Sequence, residues 1–162
     1  MPTPSLPSDL AALLPASDAA APCEPCEEGL WAVAGAHAFF LVDGGGARSS
    51  GMWYEVQHVT WEATSRALTV TWTDPGLAPA RAVTLSTDPR AFLVRVRESV
   101  ERTQVVQRRL RTHNGTRVVA QVRRAPDGTL FSVLTADGPV DARAEEEALM
   151  LEREVRESVG LD

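Results

Sequence analysis

Residues 51–62, Gly51-Met52-Trp53-Tyr54-Glu55-Val56-Gln57-His58-Val59-Thr60-Trp61-Glu62, form the stretch that decides the fold. Aromatic and β-branched residues dominate it, as they do in Ala67-Leu68-Thr69-Val70-Thr71-Trp72 shortly afterwards. The two stretches predict a pair of antiparallel strands joined by a loop at 63–66. Three of the four tryptophans lie in this hairpin, so we expect it to contribute the largest buried apolar surfaces.

Three more strands and a helix are predicted around this hairpin. Two strands precede it, at 29–34 and 38–42, and one follows it, at 81–87, where the residues alternate with a period of two. The period changes at Asp88-Pro89, a sequence typical of a helix start. Phe92, Val96 and Val100 then fall on one helical face, so we expect this helix to cover the five-stranded sheet.

The last third of the chain predicts three strands and a second helix. The strands are 105–111, 117–123 and 130–135, with turns at 113–115 and 126–128 that contain Asn-Gly and Asp-Gly. The helix is expected from Asp141, as its N-cap, to Val159, with Gly160 ending it. Its predicted buried residues are listed in order: Ala144, Ala148, Leu151, Val155 and Val159.

The predicted fold class is α+β. We expect a five-stranded antiparallel sheet covered by a helix, plus a C-terminal three-stranded sheet with one helix. The domain prediction has three parts: a short helix and loose connector at 1–27, a sheet with its helix at 28–103, and an appended βββα subdomain at 104–162. The connector is predicted because residues 16–28 are rich in Ala, Pro, Ser and acidic residues.

Composition indicates an ordinary globular protein. Apolar residues make up 44% of the chain and charged residues 23%. The first residues, Met1-Pro2-Thr3-Pro4-Ser5, lack the basic region of a signal peptide, and no apolar run has the length of a transmembrane helix. We therefore expect a cytoplasmic protein with reduced cysteines.

Charge is strongly segregated along the chain. Residues 1–89 carry ten acidic residues and three arginines (net −7), residues 90–124 two and ten (net +8), and residues 125–162 ten and three (net −7). The basic middle has two interpretations. It could face an anionic partner, or it could be neutralised within the molecule by the glutamates of the last helix.

Arginines of the predicted C-terminal sheet are the candidate anion-binding residues. Within one strand, Arg109 and Arg111 alternate onto the same face, and in the next strand Arg117 and Arg123 do the same. The full candidate set is Arg108, Arg109, Arg111, Arg117, Arg123 and Arg124. No aromatic residue lies between Phe92 and Phe131, so the base-stacking side chains typical of nucleic-acid readers are missing from this segment.

Cys23 and Cys26 are weak candidates for a metal or redox site. Their spacing, Cys-Glu-Pro-Cys, supplies half of a zinc site, and the sequence has no second Cys/His pair at ligand spacing. A redox role would need a cysteine at a helix N-terminus, whereas a strand is predicted to follow. We therefore predict no metal site and no cofactor.

No catalytic site is predicted. His37, His58 and His113 lie in different elements, and none belongs to a paired acid/base motif. The glycines at 44–46 precede a predicted strand, whereas a phosphate-binding loop opens into a helix. The expectation is a protein that is not an enzyme.

Short strand motifs carry a resemblance to a known family. The run Met52-Trp53-Tyr54-Glu55-Val56, followed by Leu68-Thr69-Val70, resembles the bacterial domains related to pleckstrin-homology and GRAM domains. Together with Arg117-Val118-Val119, Phe131-Ser132-Val133 and the acidic helix at 141–159, it resembles a group of uncharacterised proteins from high-GC bacteria. The resemblance implies an antiparallel bent sheet or partial barrel capped by a helix, like that of pleckstrin-homology domains, and no known activity.

Many pleckstrin-homology relatives bind phosphoinositides through basic residues in the loop between their first two strands. In this chain that loop is Gly35-Ala36-His37, which contains no arginine. The functional expectation is therefore a non-enzymatic interaction or adaptor module that binds a protein partner or its own copy. The alternative is a module that binds nucleic acid or anionic lipid through the arginine-rich sheet.

Overall fold

Residues 3–161 are described by the structure, which is a computed structural model of the chain. The fold is α+β, and the described residues contain three antiparallel sheets, of four, three and three strands, with three α-helices. The chain divides into two compact units. Unit 1 comprises residues up to 72 together with 76–101, and unit 2 comprises 73–75 and the residues from 102 onwards.

Unit 1 contains two open antiparallel sheets. Its elements are α1 (Ser8–Ala11), β1 (Cys23–Pro25), β2 (Trp31–Ala34), β3 (Ala38–Asp43), β4 (Gly46–Met52), β5 (Val56–Glu62), β6 (Ala67–Trp72), β7 (Ala80–Val83) and α2 (Arg90–Thr103), whose last two residues belong to unit 2. Strands β1 to β4 pair in sequence order as one sheet, and β5 to β7 pair in sequence order as the other. Both sheets are meanders, so each strand pairs with its neighbour in the chain.

The prediction of one long strand over residues 51–62 is wrong. The chain leaves β4 after Met52, makes a short 3-10 turn at Trp53–Glu55, and begins β5 at Val56. The turn buries the indole of Trp53, whose Nε1 donates to the carbonyl oxygen of Gly35 at 2.8 Å. A straight strand could not bury this ring and also satisfy its N–H, which is why the aromatic stretch bends here.

The core of unit 1 lies among residues from both sheets and α2. Phe39 and Trp53 form an edge-to-face pair with ring centroids 6.1 Å apart. Phe92, Val96 and Val100 are the buried residues of α2, as the sequence predicts, and they belong to the same apolar cluster as Phe39. Burial of this helix face stabilises unit 1 through the loss of apolar surface from water.

The prediction of a loose connector over residues 16–28 is also wrong. Its residues 23–25 form β1, which pairs with β2, and both Cys23 and Cys26 are buried. Cys23 packs in a second apolar cluster with Leu10 and Leu14 of the N-terminal segment. The Ala/Pro-rich composition is typical of a loop, but pairing with β2 and burial of Cys23 and Cys26 overrode that local preference.

Strand β7 is shorter than the predicted strand at 81–87. It ends at Val83, and Thr84 then makes an isolated antiparallel bridge with Cys26. The Oγ1 of Thr84 donates to the carbonyl oxygen of Ser86 at 2.8 Å, which bends the chain away from the sheet. With β1 added and the 51–62 stretch divided between β4 and β5, the described residues of unit 1 form seven strands instead of the five predicted.

Unit 2 is a three-stranded meander packed on one helix. Its elements are β8 (Gln104–Arg111), β9 (Arg117–Arg124), β10 (Leu130–Asp137) and α3 (Ala142–Ser158), and the sheet order is β10-β9-β8. The three predicted strands and the predicted helix are confirmed. Their apolar cluster joins Val118, Ala120 and Val122 of β9 to α3 residues that include Leu151 and Val155.

Both turns of this meander use glycine in the left-handed region. Gly115 has φ 85° and Gly128 has φ 89°, and each N–H donates back to the residue that precedes its turn, at 2.9 Å. Only glycine adopts this conformation without strain, so the Asn-Gly and Asp-Gly pairs set the register of the two hairpins.

No helix among residues 3–161 is both long enough and apolar enough to cross a bilayer.

Candidate anion-binding face

The register of unit 2 divides the six candidate arginines between two sheet faces. Val118, Ala120 and Val122 of β9 point at α3, so residues paired with them, including Arg108 opposite Ala120, lie on the helix side. Arg124 follows the same alternation and also falls on the helix side. The other four arginines, Arg109, Arg111, Arg117 and Arg123, lie on the opposite face.

Arg123 is buried and is not part of a binding surface. Its side chain is 0% exposed, with Nε donating to Oε1 of Gln121 at 2.8 Å and Nη1 donating to Oγ1 of Thr103 at 2.9 Å. Burial lowers its pKa to about 10, so the guanidinium still carries its charge near neutral pH. This arginine holds the end of the sheet together, and its expected role as a ligand contact has to be corrected.

Arg109, Arg111 and Arg117 remain as an exposed cluster, which we call the arginine face. Arg111 lies directly opposite Arg117 across the β8–β9 pair, and Arg109 is two residues from Arg111 on the same side. Cβ atoms of directly opposed residues are about 4.5–5.5 Å apart, so the three guanidinium groups share one small area. Two like charges held opposite each other are unfavourable unless something anionic joins them.

Within the part of the chain that the structure describes, the arginine face is not neutralised by an ion pair. Among residues 3–161, no ion pair joins any of these three arginines to an acidic side chain. Asp137 lies opposite Arg117 in the β9–β10 register but makes no salt bridge with it. With its side-chain amide oriented to accept, Gln107 takes two hydrogen bonds from Arg109 at 3.1 Å.

In the ion pairs of residues 3–161, the glutamates of α3 reach one candidate arginine, Arg108. Nη1 of Arg108 lies 3.5 Å from Oε2 of Glu154, and both side chains are about half exposed. The other glutamates of the helix do not reach the arginine face, because α3 packs on the opposite side of the sheet. Internal neutralisation by the last helix therefore accounts for Arg108, and the arginine face takes part in none of the ion pairs of residues 3–161.

The β8–β9 turn is fastened to the N-terminus of α3. His113 Nε2 lies 2.9 Å from Oδ1 of Asp141, and the backbone N–H of His113 donates to Oε2 of Glu147 at 2.9 Å. Asp141 also caps the helix by accepting from the N–H of Ala144 at 2.8 Å, and these contacts hold the pKa of its carboxyl below the ordinary value. His113 therefore has a structural partner that aligns the strand carrying Arg109 and Arg111.

A groove of about 520 Å³ runs between β8 and α3 on the helix side of the sheet. Its apolar lining comes from Leu110, Met150 and Leu151, and its polar rim from Arg108, Arg109, Glu147 and Glu154. The side chain of Met150 is 63% exposed although it borders the groove. Sequence reasoning missed this groove; the signal was the pair Leu149-Met150, apolar residues outside the predicted buried stripe.

The cysteines lie in different apolar clusters. Cys23 belongs to the cluster that contains Val33 and Val42, and Cys26 belongs to the one that contains Phe39. Both are free thiols, and burial raises the pKa of Cys23 and raises the pKa of Cys26 to about 11. Thiols with raised pKa values are poor nucleophiles and poor metal ligands, and no cluster of three or more potential metal ligands occurs within residues 3–161.

Unit 1 has a separate cleft of about 450 Å³ near the ends of β3, β4 and β7. Leu30 and Leu41 line its apolar part, and Arg48 lies beside Asp43 with Nε 2.8 Å from Oδ2. This pairing holds the pKa of Asp43 below its ordinary value. Neither this cleft nor the groove of unit 2 is lined by a histidine or a cysteine.

Comparison of the chain with protein-family models, with curated proteins and with solved structures finds no match.

Proposed function

We propose that this protein is a non-enzymatic binding module that recognises an acidic partner through the arginine face. One observation carries the proposal: Arg109, Arg111 and Arg117 are exposed on one sheet face with no internal ion pair among residues 3–161. Like charges held side by side on a sheet repel each other, and an external anion relieves this repulsion through charge-assisted hydrogen bonds.

Carboxylates of a protein partner fit this cluster better than phosphates of nucleic acid or lipid. The register places Val119 opposite Arg109 and Asp137 opposite Arg117, so the cluster lacks the aromatic side chains on which nucleic-acid bases stack. With a chain charge of −6, long-range attraction to any polyanion is weak, so binding depends on short-range contacts at the cluster. Short-range, bidentate pairing of guanidinium with carboxylate does not need a large positive field.

The proposal includes a pleckstrin-homology-like identity for unit 1. The order of its elements supports this, since a four-stranded meander is followed by a three-stranded meander and then by a helix whose apolar face belongs to the shared core. We further propose a cytoplasmic setting, which the two free buried thiols support. Under this proposal unit 1 is a scaffold, and the binding surface belongs to unit 2.

The proposal is tested by titrating the full-length protein with poly-L-glutamate, a single-stranded oligonucleotide and phosphatidylserine vesicles at low ionic strength. We expect binding to poly-L-glutamate, and we expect Arg109→Glu combined with Arg111→Glu to weaken it by at least about tenfold, through the loss of two charge-assisted contacts. The matched control is Arg95→Glu combined with Arg97→Glu, which makes the same charge change on exposed positions of α2.

Failure to bind poly-L-glutamate at low ionic strength would overturn the proposal. An equal loss in the α2 control would do the same, because it would show that net charge and not the arginine face governs binding. Tighter binding to the oligonucleotide or to the vesicles than to poly-L-glutamate would reassign the face to phosphate ligands.

A further inference from the structure

No described strand pairs with the outer hydrogen-bonding edge of β8. It is the last strand in the order β10-β9-β8, and its residues are exposed or half-buried along the whole length of the strand. The direction of its backbone groups follows from the turn, where the N–H of Thr112 donates to the carbonyl oxygen of Thr116 at 2.9 Å. In an antiparallel ladder, bonded and non-bonded pairs alternate from such a pair onwards.

This alternation shows which backbone groups lie on the free edge. Leu110 and Arg108 exchange hydrogen bonds with β9, because they lie two and four residues from Thr112. Gln107, Arg109 and Arg111 therefore direct their N–H and C=O groups away from β9. The second hairpin gives the same result. The N–H of Ala125 donates to the carbonyl oxygen of Thr129 at 2.9 Å, so the odd-numbered residues of β9 bond to β10. The even-numbered residues of β9 are the ones that bond to β8.

The residues with outward backbone groups are also those whose side chains lie on the arginine face. An added antiparallel strand would place its hydrogen-bonded residues directly opposite Gln107, Arg109 and Arg111. Side chains opposed in this way have Cβ atoms about 4.5–5.5 Å apart, and opposite charges there are favourable. Acidic residues at these positions would meet Arg109 and Arg111.

The alternate residues of an added strand would point to the helix side, into the groove beside β8. Leu110, Met150 and Leu151 give that groove an apolar lining. The two glutamates on its rim are already engaged: Glu154 pairs with Arg108 at 3.5 Å, and Glu147 accepts from the N–H of His113 at 2.9 Å. The groove therefore suits apolar side chains and disfavours acidic ones.

We propose that β8 accepts an extended peptide as a fourth, antiparallel strand, and that this peptide alternates acidic residues with apolar ones. The acidic residues pair with Arg109 and Arg111, and the apolar residues fill the groove between β8 and α3. This inference rests on the proposed function, and it adds the conformation and the residue pattern of the partner. Main-chain hydrogen bonds supply affinity, and the alternating side chains supply specificity.

Charge favours an acidic peptide over a second copy of β8. The strand contains Arg108, Arg109 and Arg111 and no acidic residue, so edge-to-edge pairing of two copies would collect six guanidinium groups along one ladder. Arginines on an exposed strand edge are a recognised means of preventing such self-pairing. An acidic strand removes this repulsion.

The test measures binding of a labelled peptide, Glu-Val-Glu-Val-Glu-Val-Glu, to the full-length protein by fluorescence anisotropy. We expect it to bind more tightly than Glu-Glu-Val-Val-Glu-Glu-Val, which has the same composition without the alternation. N-methylation of the glutamate amides should weaken binding by at least about tenfold, because these N–H groups bond to the edge of β8. N-methylation of the valine amides, which point away from β8, should change it by less than about twofold.

Groove variants provide a second measurement on the protein side. Met150→Asp should weaken binding of the alternating peptide, because it places a charge in the apolar lining of the groove. Leu149→Asp, on the neighbouring exposed residue, should leave this binding unchanged. Size-exclusion chromatography of the wild-type protein over a range of concentrations checks for pairing of two copies.

The outcomes separate this inference from the proposed function. If poly-L-glutamate binds through Arg109 and Arg111 while the two N-methylated peptides bind equally, the strand-addition inference is wrong and the proposed function stands. Equal affinity for the alternating and scrambled peptides would also overturn it. A dimer that the alternating peptide displaces would assign the edge of β8 to a second copy instead.

Discussion

Arg123 and Arg124 are adjacent arginines in opposite environments. Arg123 is 0% exposed and hydrogen-bonded to Gln121 and Thr103, whereas Arg124 is exposed. Both are arginines at the end of the same strand, and the sequence does not distinguish them. Their different environments therefore arise from packing. Removing a buried hydrogen-bonding group leaves its partners unsatisfied, and removing an exposed one does not.

We predict that Arg123→Ala lowers the free energy of unfolding by about 2–4 kcal/mol, through the cavity and the unsatisfied oxygens of Gln121 and Thr103. Arg124→Ala should change it by no more than about 0.5 kcal/mol, as is usual for an exposed site. Urea unfolding of the two variants measures the difference. Equal effects would show that Arg123 is not held as described.

The thiol of Cys26 makes stability depend on pH above the neutral range. Burial raises its pKa from 9.0 to about 11, so between these values the unfolded chain loses this proton while the folded chain keeps it. The unfolded state then binds fewer protons, and stability falls as pH rises through this window. The pKa of Cys23 is raised in the same direction.

We predict that ionisation of Cys26 leaves the free energy of unfolding unchanged below about pH 8. Between about pH 9 and 11 this thiol should lower the free energy of unfolding by at most about 1.4 kcal/mol per pH unit. Urea titrations at a series of pH values measure the decline. The control is Cys26→Ala, in which the decline should be shallower. An unchanged decline in that variant would assign it to other groups.

At the scale of secondary-structure elements, close packing of β4 on β6 depends on one glycine. A Cβ added at Gly51 would lie 2.5 Å from Cζ3 of Trp72, whose ring is buried. Gly51 therefore provides the space in which the indole lies against the strand. At Gly44 an added Cβ would meet nothing within 4 Å.

We predict that Gly51→Ala destabilises the protein by about 1–3 kcal/mol, because the ring of Trp72 must move in a closely packed core. Gly44→Ala should change stability by no more than about 0.5 kcal/mol. Both values come from urea unfolding, and Trp fluorescence reports movement of the ring. A neutral Gly51→Ala would mean that the indole has room to shift.

The hairpins of unit 2 show how far local sequence determines an element. Gly115 and Gly128 set the two turns, and the alternation of the strands follows from them. The 51–62 stretch shows the limit, since β-branched and aromatic residues predict one long strand there. Burial of Trp53 with its N–H bonded to Gly35 interrupts that strand, and this contact joins residues 18 positions apart.

At the scale of the whole molecule, the distribution of charge matters more than the net value. The chain carries −6, yet residues 90–124 carry +8 by count of acidic residues and arginines. Only part of that charge is paired inside the molecule, and Arg109, Arg111 and Arg117 are outside the ion pairs of residues 3–161. Binding through three exposed arginines should therefore weaken as salt is added, in the same titrations that test the proposed function.

Composition and local pattern by themselves determined the α+β class, most of the strands, the faces of the two long helices and the shared alternation of Arg109 and Arg111. These properties depend on residues close together in the chain, whose periods of two and of 3.6 are readable directly. The sequence also determined the two hairpin turns of unit 2, because the turn conformation depends on the adjacent residues Asn-Gly and Asp-Gly.

Tertiary structure alone decided which arginines are available. Arg117 and Arg123 share a strand and a face, but one is exposed and the other is enclosed. It also placed β8 at the sheet edge, put α3 on the side away from the arginine face and drew Cys23 and Cys26 into the interior. Solvent exposure and strand order depend on contacts between residues distant in sequence, and no local period encodes those contacts.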